Sequence, residues 1–179
     1  MLSQAQIAQK SVAIASYVCA LSVFRASRTI MVYMARAHEV QTTLIIAEAQ
    51  RQHKRVAVPV IHGSTLVPVE FPRHAAQLRR GPYGIIEPCD TPVVPLNDIQ
   101  YVAVPGVAFD RRGGRLGSGK GYYDRFLGSL STTAYYCGLA FCMQIVPCVP
   151  HMPHDVCMHG VVTEQGFIPC TDNSTGQSC

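Results

Sequence analysis

Residues 105–125, PGVAFDRRGGRLGSGKGYYDR, restrict this chain more than any other stretch. Gly113, Gly114, Gly117, Gly119 and Gly121 are interleaved there with Arg111, Arg112, Arg115, Lys120 and Arg125, and the run closes on Tyr122, Tyr123 and Asp124. Glycine lets backbone N–H groups approach a ligand with no Cβ in the way. The cations neutralise a polyanion, and a helix beginning after the loop presents its positive end. A carboxylate just beyond can hold a hard divalent metal on phosphate oxygens. Together these features suit a nucleoside triphosphate. Directly upstream, residues 99–104 (IQYVAV) read as a buried strand. In open α/β sheets ligands bind beyond the carboxyl ends of the strands, and the loop stands at such a place.

The remaining pattern agrees with that class. Residues 3–24 read as one amphipathic helix, with Ile7, Ile14, Val18, Leu21 and Phe24 at spacings of three, four and seven. Residues 29–34 (TIMVYM) and 55–61 (RVAVPVI) read as buried strands, and residues 65–71 alternate like a third. Thr42 and Thr43 cap a helix running to about Arg51. Residues 72–95 are rich in Pro and Gly and read as irregular. Residues 121–130 look helical, 134–141 and 161–163 look like strands, and Pro147, Pro150 and Pro153 mark a loop. The expected fold is a three-layer α/β domain, a mainly parallel sheet flanked by helices, over residues 1–168, with a polar, disordered tail at 169–179.

Composition removes several function classes. A length of 179 residues suits one domain, and 48% hydrophobic residues supply a core. The net charge is +4, and every Lys and Arg lies at or before Arg125. That distribution favours a small anionic ligand over a nucleic-acid track. The apolar residues 11–24 are too few to span a bilayer. Eight cysteines occur with no C-x-x-C pair, which points to unpaired thiols in a reducing, cytoplasmic setting.

The glycine loop is not a P-loop, since Gly121 rather than Ser or Thr follows Lys120, and its G-x-G-x-G is not the dinucleotide fingerprint. Cys148, His151, His154, Cys157 and His159 have the content of a zinc site but no familiar spacing, and three prolines interrupt their neighbourhood, so a His- and Cys-rich loop is the expected reading.

Residues 105–127 resemble the signature of the 5-formyltetrahydrofolate cyclo-ligase (methenyltetrahydrofolate synthetase) family. Residues 33–42 (YMARAHEVQT) are similar to its strand and Glu-x-x-Thr turn, residues 83–88 (YGIIEP) to its G-I-x-E-P stretch, and His154-Asp155 with residues 161–164 to its closing segment. The resemblance implies a cyclo-ligase-like (NagB/RpiA/CoA-transferase-like) fold. It also implies an ATP- and Mg²⁺-dependent ligase that converts 5-formyltetrahydrofolate to 5,10-methenyltetrahydrofolate. Its partners would be a reduced folate and ATP, with no nucleic acid and no membrane.

Carried over by position, Arg115 and Lys120 act on the phosphates, and Leu116, Gly117, Ser118, Gly119, Gly121, Tyr122 and Tyr123 complete the ATP site. Met34, Glu39, Tyr83 and Tyr122 face the folate, together with Ser118, Gly119, Lys120 and Gly121. Asp124 and Asp155 hold Mg²⁺. Three departures stand against the pattern. The family's first helix, with its ATP-contacting Lys-x-x-Leu-Arg element, has no counterpart in these residues, either because the start is misplaced and residues are missing or because that contact is lost, and Lys10 is not a substitute for it. Ser118 stands where Arg is frequent, and His159 where a carboxylate is common. They leave open an alternative: a non-catalytic or repurposed relative that binds folate or nucleotide.

Overall fold

In this computed structural model, residues 2–72, 78–80, 86–89, 91–152 and 154–170 are described. Helix α1 (Gln4–Ala20) begins at a reciprocal cap: the Ser3 hydroxyl accepts from the Gln6 N–H, and the Gln6 side chain accepts from the Ser3 N–H. Ile7, Ile14, Ala15 and Val18 are buried along one face. The single helix expected over residues 3–24 is two. Leu21 is extended (ψ 133°), and α2 (Ser22–Ala26) restarts beyond it to bury Phe24. The break has no Gly or Pro signal. The Arg25 Nε–H donates to the Cys19 carbonyl, which the interrupted helix leaves without its usual partner.

Strand β1 (Thr29–Met31) is followed by α3 (Thr43–Arg51) and β2 (Arg55–His62). Thr42 is the N-cap residue of α3 by position, but its hydroxyl donates to the Tyr33 carbonyl at 2.7 Å instead of capping. The Tyr33 hydroxyl donates to the Val40 carbonyl at 3.0 Å. These two bonds hold the turn between β1 and α3 to the sheet. Strand β3 (Thr65–Glu70) returns antiparallel along β2. The stretch expected to be irregular contains a short antiparallel pair, β4 (Leu78–Arg80) with β5 (Ile86–Pro88). Then come β6 (Tyr101–Val104), β7 (Ala108–Phe109), β8 (Arg115–Leu116), α4 (Tyr122–Gly128), β9 (Tyr135–Leu139), β10 (Gly160–Thr163) and β11 (Gly166–Pro169).

The main sheet has seven strands in the order β11-β10-β9-β6-β1-β2-β3. Neighbours from β10 through β2 run parallel, and the edges β11 and β3 run antiparallel. The sheet is thus mixed, with the expected parallel centre. Pro169 pairs with Gly160, so sheet pairing reaches the first residue of the segment expected to be a tail; residues 171–179 lie outside the described residues. Side chains alternate across the sheet. Ile30, Tyr101, Ala103, Cys137 and Leu139 pack with α1 and α3 residues, whereas Met31, Val102, Val104 and Tyr136 pack with Phe126 and Leu127 of α4.

From β1 the chain crosses through α3 to β2, and from β6 through α4 to β9, on the opposite side. The strand order therefore reverses direction between β1 and β6, where α/β sheets open a crevice at their carboxyl ends. Among the described residues no helix is long and apolar enough to cross a membrane. Among the described residues, Cys19, Cys137, Cys142 and Cys170 are free thiols.

Candidate active site

A cavity of about 720 Å³ opens at that crevice. Tyr33 and Met34, just past β1, form one wall, and Pro105, Gly106 and Val107, just past β6, form another. Pro59, Ile61 and Leu66 of the β2–β3 hairpin add an apolar side. The floor of the second wall is fixed by Phe109. Its ring is fully buried, and a Cβ on either Gly106 or Gly138 would come within 2.6 Å of it. Glycine is needed at both places for the loop and sheet to close on that ring.

The glycine loop lines the cavity with Arg115, Leu116, Gly117, Ser118, Gly119, Gly121, Tyr122, Tyr123 and Asp124. Gly119 and Gly121 have positive φ (80° and 61°), a conformation that glycine adopts without strain. The Arg115 guanidinium donates from Nη2 to Asp124 Oδ1 at 2.6 Å, with the two side chains only 4% and 18% exposed. Arg115 Cζ also lies 5.7 Å from the centre of the Tyr123 ring.

Two buried polar atoms here lack a hydrogen-bond partner among the described residues, Arg115 Nε and the Tyr123 hydroxyl. Burial, with the Glu39 carboxylate nearby, pushes the Tyr123 phenol well above its ordinary value, against the opposing pull of Arg115. Burial does the same to Tyr33. Both phenols keep their protons at neutral pH. Arg115 and Tyr123 both line the cavity, but these two donor atoms are themselves closed off from it.

Tyr122 and Arg125 fasten the loop to the hairpin. The Tyr122 hydroxyl donates to the Gly63 carbonyl at 3.3 Å, and Arg125 Nη2 donates to the Ser64 carbonyl at 2.8 Å. Helix α4 has only seven residues, so its end offers an anion less than the loop backbone and Arg115 would.

Glu39 and Met34 line the same cavity, as the sequence suggests. One Glu39 oxygen accepts from the Arg36 N–H at 2.8 Å and so shapes its own turn. The Gln41 side chain braces that turn by donating to the carbonyls of Arg36 and Glu39. Asp155 also lines the cavity; its Oδ2 accepts from the Met152 N–H at 2.8 Å. Lys120 is exposed and stands outside the lining, where its carbonyl accepts from Arg125. Tyr83 lies outside the described residues.

Lys10 is ion-paired with Glu164, the residue after β10, and neither lines the cavity. His159 stacks on Tyr135 and lies tilted against Tyr136, and its Nδ1 accepts from the Tyr136 N–H at 2.9 Å. Among the described residues no three His, Cys, Asp or Glu side chains gather as a metal cluster, and of the His- and Cys-rich stretch only Cys157 and His151 meet, at 3.5 Å.

Some lining residues gave no sequence signal. Tyr33 read as strand, and Gln144 read as unremarkable; its amide donates to the carbonyls of Gly106 and Val107 and so braces the second wall. Asp110 could have been found from its place before the R-R-G-G turn, since Asp favours such positions.

A family model described as the 5-formyltetrahydrofolate cyclo-ligase family matches residues 1–164. The 5-formyltetrahydrofolate cyclo-ligase of Haemophilus influenzae is 34% identical over 137 residues, covering 74% of this chain and 73% of its own. The Mus musculus protein of the same name is 27% identical over 175 residues, covering 91% and 86%. Among solved structures, the 5,10-methenyltetrahydrofolate synthetase of Aquifex aeolicus superposes with a TM-score of 0.83 at 30% identity, over 99% of this chain and 88% of that one. The Mycoplasma pneumoniae synthetase shares the fold, with a TM-score of 0.73 at 22% identity over 91% and 90%. Matched from its first helix to Glu164, and with the glycine signature set in the wall of its main cavity, the chain belongs to the 5-formyltetrahydrofolate cyclo-ligase family of ligases.

Proposed function

We propose that the chain converts 5-formyltetrahydrofolate to 5,10-methenyltetrahydrofolate with ATP. The observation that carries this reading is the buried Arg115–Asp124 pair in a cavity shared by the glycine loop and Asp155. The formyl oxygen on N5 attacks the γ-phosphorus, the bond to the β,γ-bridging oxygen breaks, and ADP leaves. The N10 lone pair then attacks the activated formyl carbon. The carbon–oxygen bond breaks, phosphate leaves, and N10 gives up its proton to solvent or phosphate. An amide-like oxygen is a poor leaving group until it carries the phosphoryl group. Catalysis then rests on alignment and charge neutralisation.

In this reading Arg115, the backbone of residues 116–121 and the exposed Lys120 hold the phosphates. Met34, Glu39, Tyr83 and Tyr122 hold the folate. Asp124 and Asp155 would hold Mg²⁺: both line one cavity, and Asp124 Oδ2 stays outside the bond to Arg115. Mg²⁺ takes one or two carboxylates and keeps several waters, so this hard-oxygen donor set fits. The ion would supply charge neutralisation on the phosphate oxygens. The free thiols suit a cytoplasmic location.

Mixing the protein with 5-formyltetrahydrofolate, ATP and Mg²⁺ and following methenyltetrahydrofolate absorbance tests the reading. An ATP-dependent rise that Arg115→Ala abolishes supports it. Binding of ATP or folate without turnover supports the alternative of a non-catalytic relative. The engagement of Lys10 by Glu164, away from the cavity, is the observation that favours that second reading.

A further inference from the structure

Asp110 is 3% exposed, lies outside the cavity lining, and is spent entirely on backbone donors. Its Oδ1 accepts from the N–H groups of Arg112 and Gly114, each at 2.9 Å. Its Oδ2 accepts from the Val149 N–H at 2.8 Å. The first two bonds close the turn that feeds Arg115. The Asp110 N–H closes it again by donating to the Gly114 carbonyl at 3.0 Å. The carboxylate presses so tightly on Gly114 that a Cβ there would lie 2.6 Å from Oδ2.

The third bond reaches the other side of the site. Val149 immediately precedes the stretch that supplies Pro150, Met152, His154 and Asp155 to the cavity. That stretch is anchored on the β7–β8 hairpin by Val146 donating to the Phe109 carbonyl and by Met158 donating to the Gly113 carbonyl. Both are main-chain bonds outside the stretch itself. Next to its start two side chains of the turn reach across: the Asp110 carboxylate accepts from the Val149 N–H, and Arg112 Nη2 donates to Cys148 Sγ at 2.7 Å.

We propose that Asp110 is a positioning residue that sets the separation between the Arg115–Asp124 wall and the Asp155 wall. This rests on the reading of the glycine loop as the phosphate site. Asp110 touches neither substrate. It acts by fixing where Arg115 and Asp155 stand relative to each other, and small misplacements of such groups cost rate steeply.

Asp110→Asn separates this role from simple folding. The amide oxygen can still accept from Arg112 and Gly114, which keeps the turn. The amide NH₂ then faces the Val149 N–H, donor against donor, and the bridge opens. The expected result is a fall in kcat on the order of tenfold to a hundredfold with a several-fold rise in the KM for Mg·ATP, and a KM for 5-formyltetrahydrofolate that stays within about twofold. In NMR spectra the amides of Met152, His154 and Asp155 shift, while those of β6 stay in place.

Wild-type kinetics in this variant, or an equal rise in both KM values with unmoved amides at residues 152–155, overturns the proposal. Wild-type protein without turnover defeats the reading of function, and the amide shifts still decide the positioning role. If the variant does not fold, amide exchange in the wild-type protein decides. Protection of the Val149 amide comparable to that of β6 is the expected result, and rapid exchange there overturns the bridge.

Discussion

Arg115 and Asp124 meet at 2.6 Å with their side chains almost fully enclosed, so each is the counter-charge that permits the other to be buried. Removing one partner of a buried pair leaves an uncompensated charge and costs about 3–5 kcal/mol. Asp124→Ala and Arg115→Ala are therefore expected to lower the melting temperature as well as abolish turnover. The double variant Arg115→Met/Asp124→Leu should recover much of the stability and none of the activity. Thermal melts and the absorbance assay run together check this.

Tyr123 gives the opposite separation. Its hydroxyl is buried with no partner, so Tyr123→Phe removes an unsatisfied group. Stability should hold or rise by up to about 1 kcal/mol. If a ligand oxygen satisfies that hydroxyl, KM should rise several-fold in the same variant. An unchanged KM would assign the hydroxyl no role in binding.

Gly113 and Gly119 both have positive φ (92° and 80°), but their surroundings differ. A Cβ on Gly113 would sit 2.5 Å from the Met158 carbonyl oxygen, whereas one on Gly119 would meet nothing within 4 Å. Gly119→Ala should cost about 1–2 kcal/mol, from the left-handed conformation alone. Gly113→Ala adds a backbone clash that cannot relax cheaply, and its loss of stability should be clearly larger. Denaturant unfolding of the two variants measures the difference.

The acid limit of the fold should report Glu164. Burial opposes ionisation of this carboxyl, yet the hydrogen bonds from Lys10 and Cys142 outweigh it and hold the group down at about 2, from an ordinary 4.5. A value lowered by folding means that the ionised carboxylate stabilises the fold above pH 4.5. That contribution drains away as the pH falls toward 2. Glu164→Gln should melt lower than wild type near pH 7. The gap should close between pH 4.5 and 2. On the alkaline side the hydrogen bond to Glu164 raises the Lys10 ammonium above its ordinary value, so its share of the stability is lost only as the pH rises through that raised value.

Much of this architecture was legible because periodicity and glycine placement report local physics. Ile30, Val102 and Cys137 stand in apolar runs long enough to be central strands, and the loop at 113–121 needs the conformations that its glycines allow. The break at Leu21 was not legible, since its extended backbone is held by Arg25 reaching back to Cys19 and not by a helix-breaking residue. Strand β11 escaped notice because Pro169 within it reads as a stop, although an edge position tolerates proline. At the site, Arg115, Asp124 and Glu39 carry their chemistry in their side chains and could be named. Gln144 acts through Gly106 and Val107, and the Asp110 bond to Val149 likewise joins distant residues, which one sequence does not display.

The ion pair between Lys10 and Glu164 joins residues 154 positions apart. Helix α1 thus finds its polar partner only when nearly the whole described chain has been made. Its docking face also includes Val162 of β10. During synthesis α1 can settle on β1 and α3 as they appear, but its seat is complete only when β10 and Glu164 emerge.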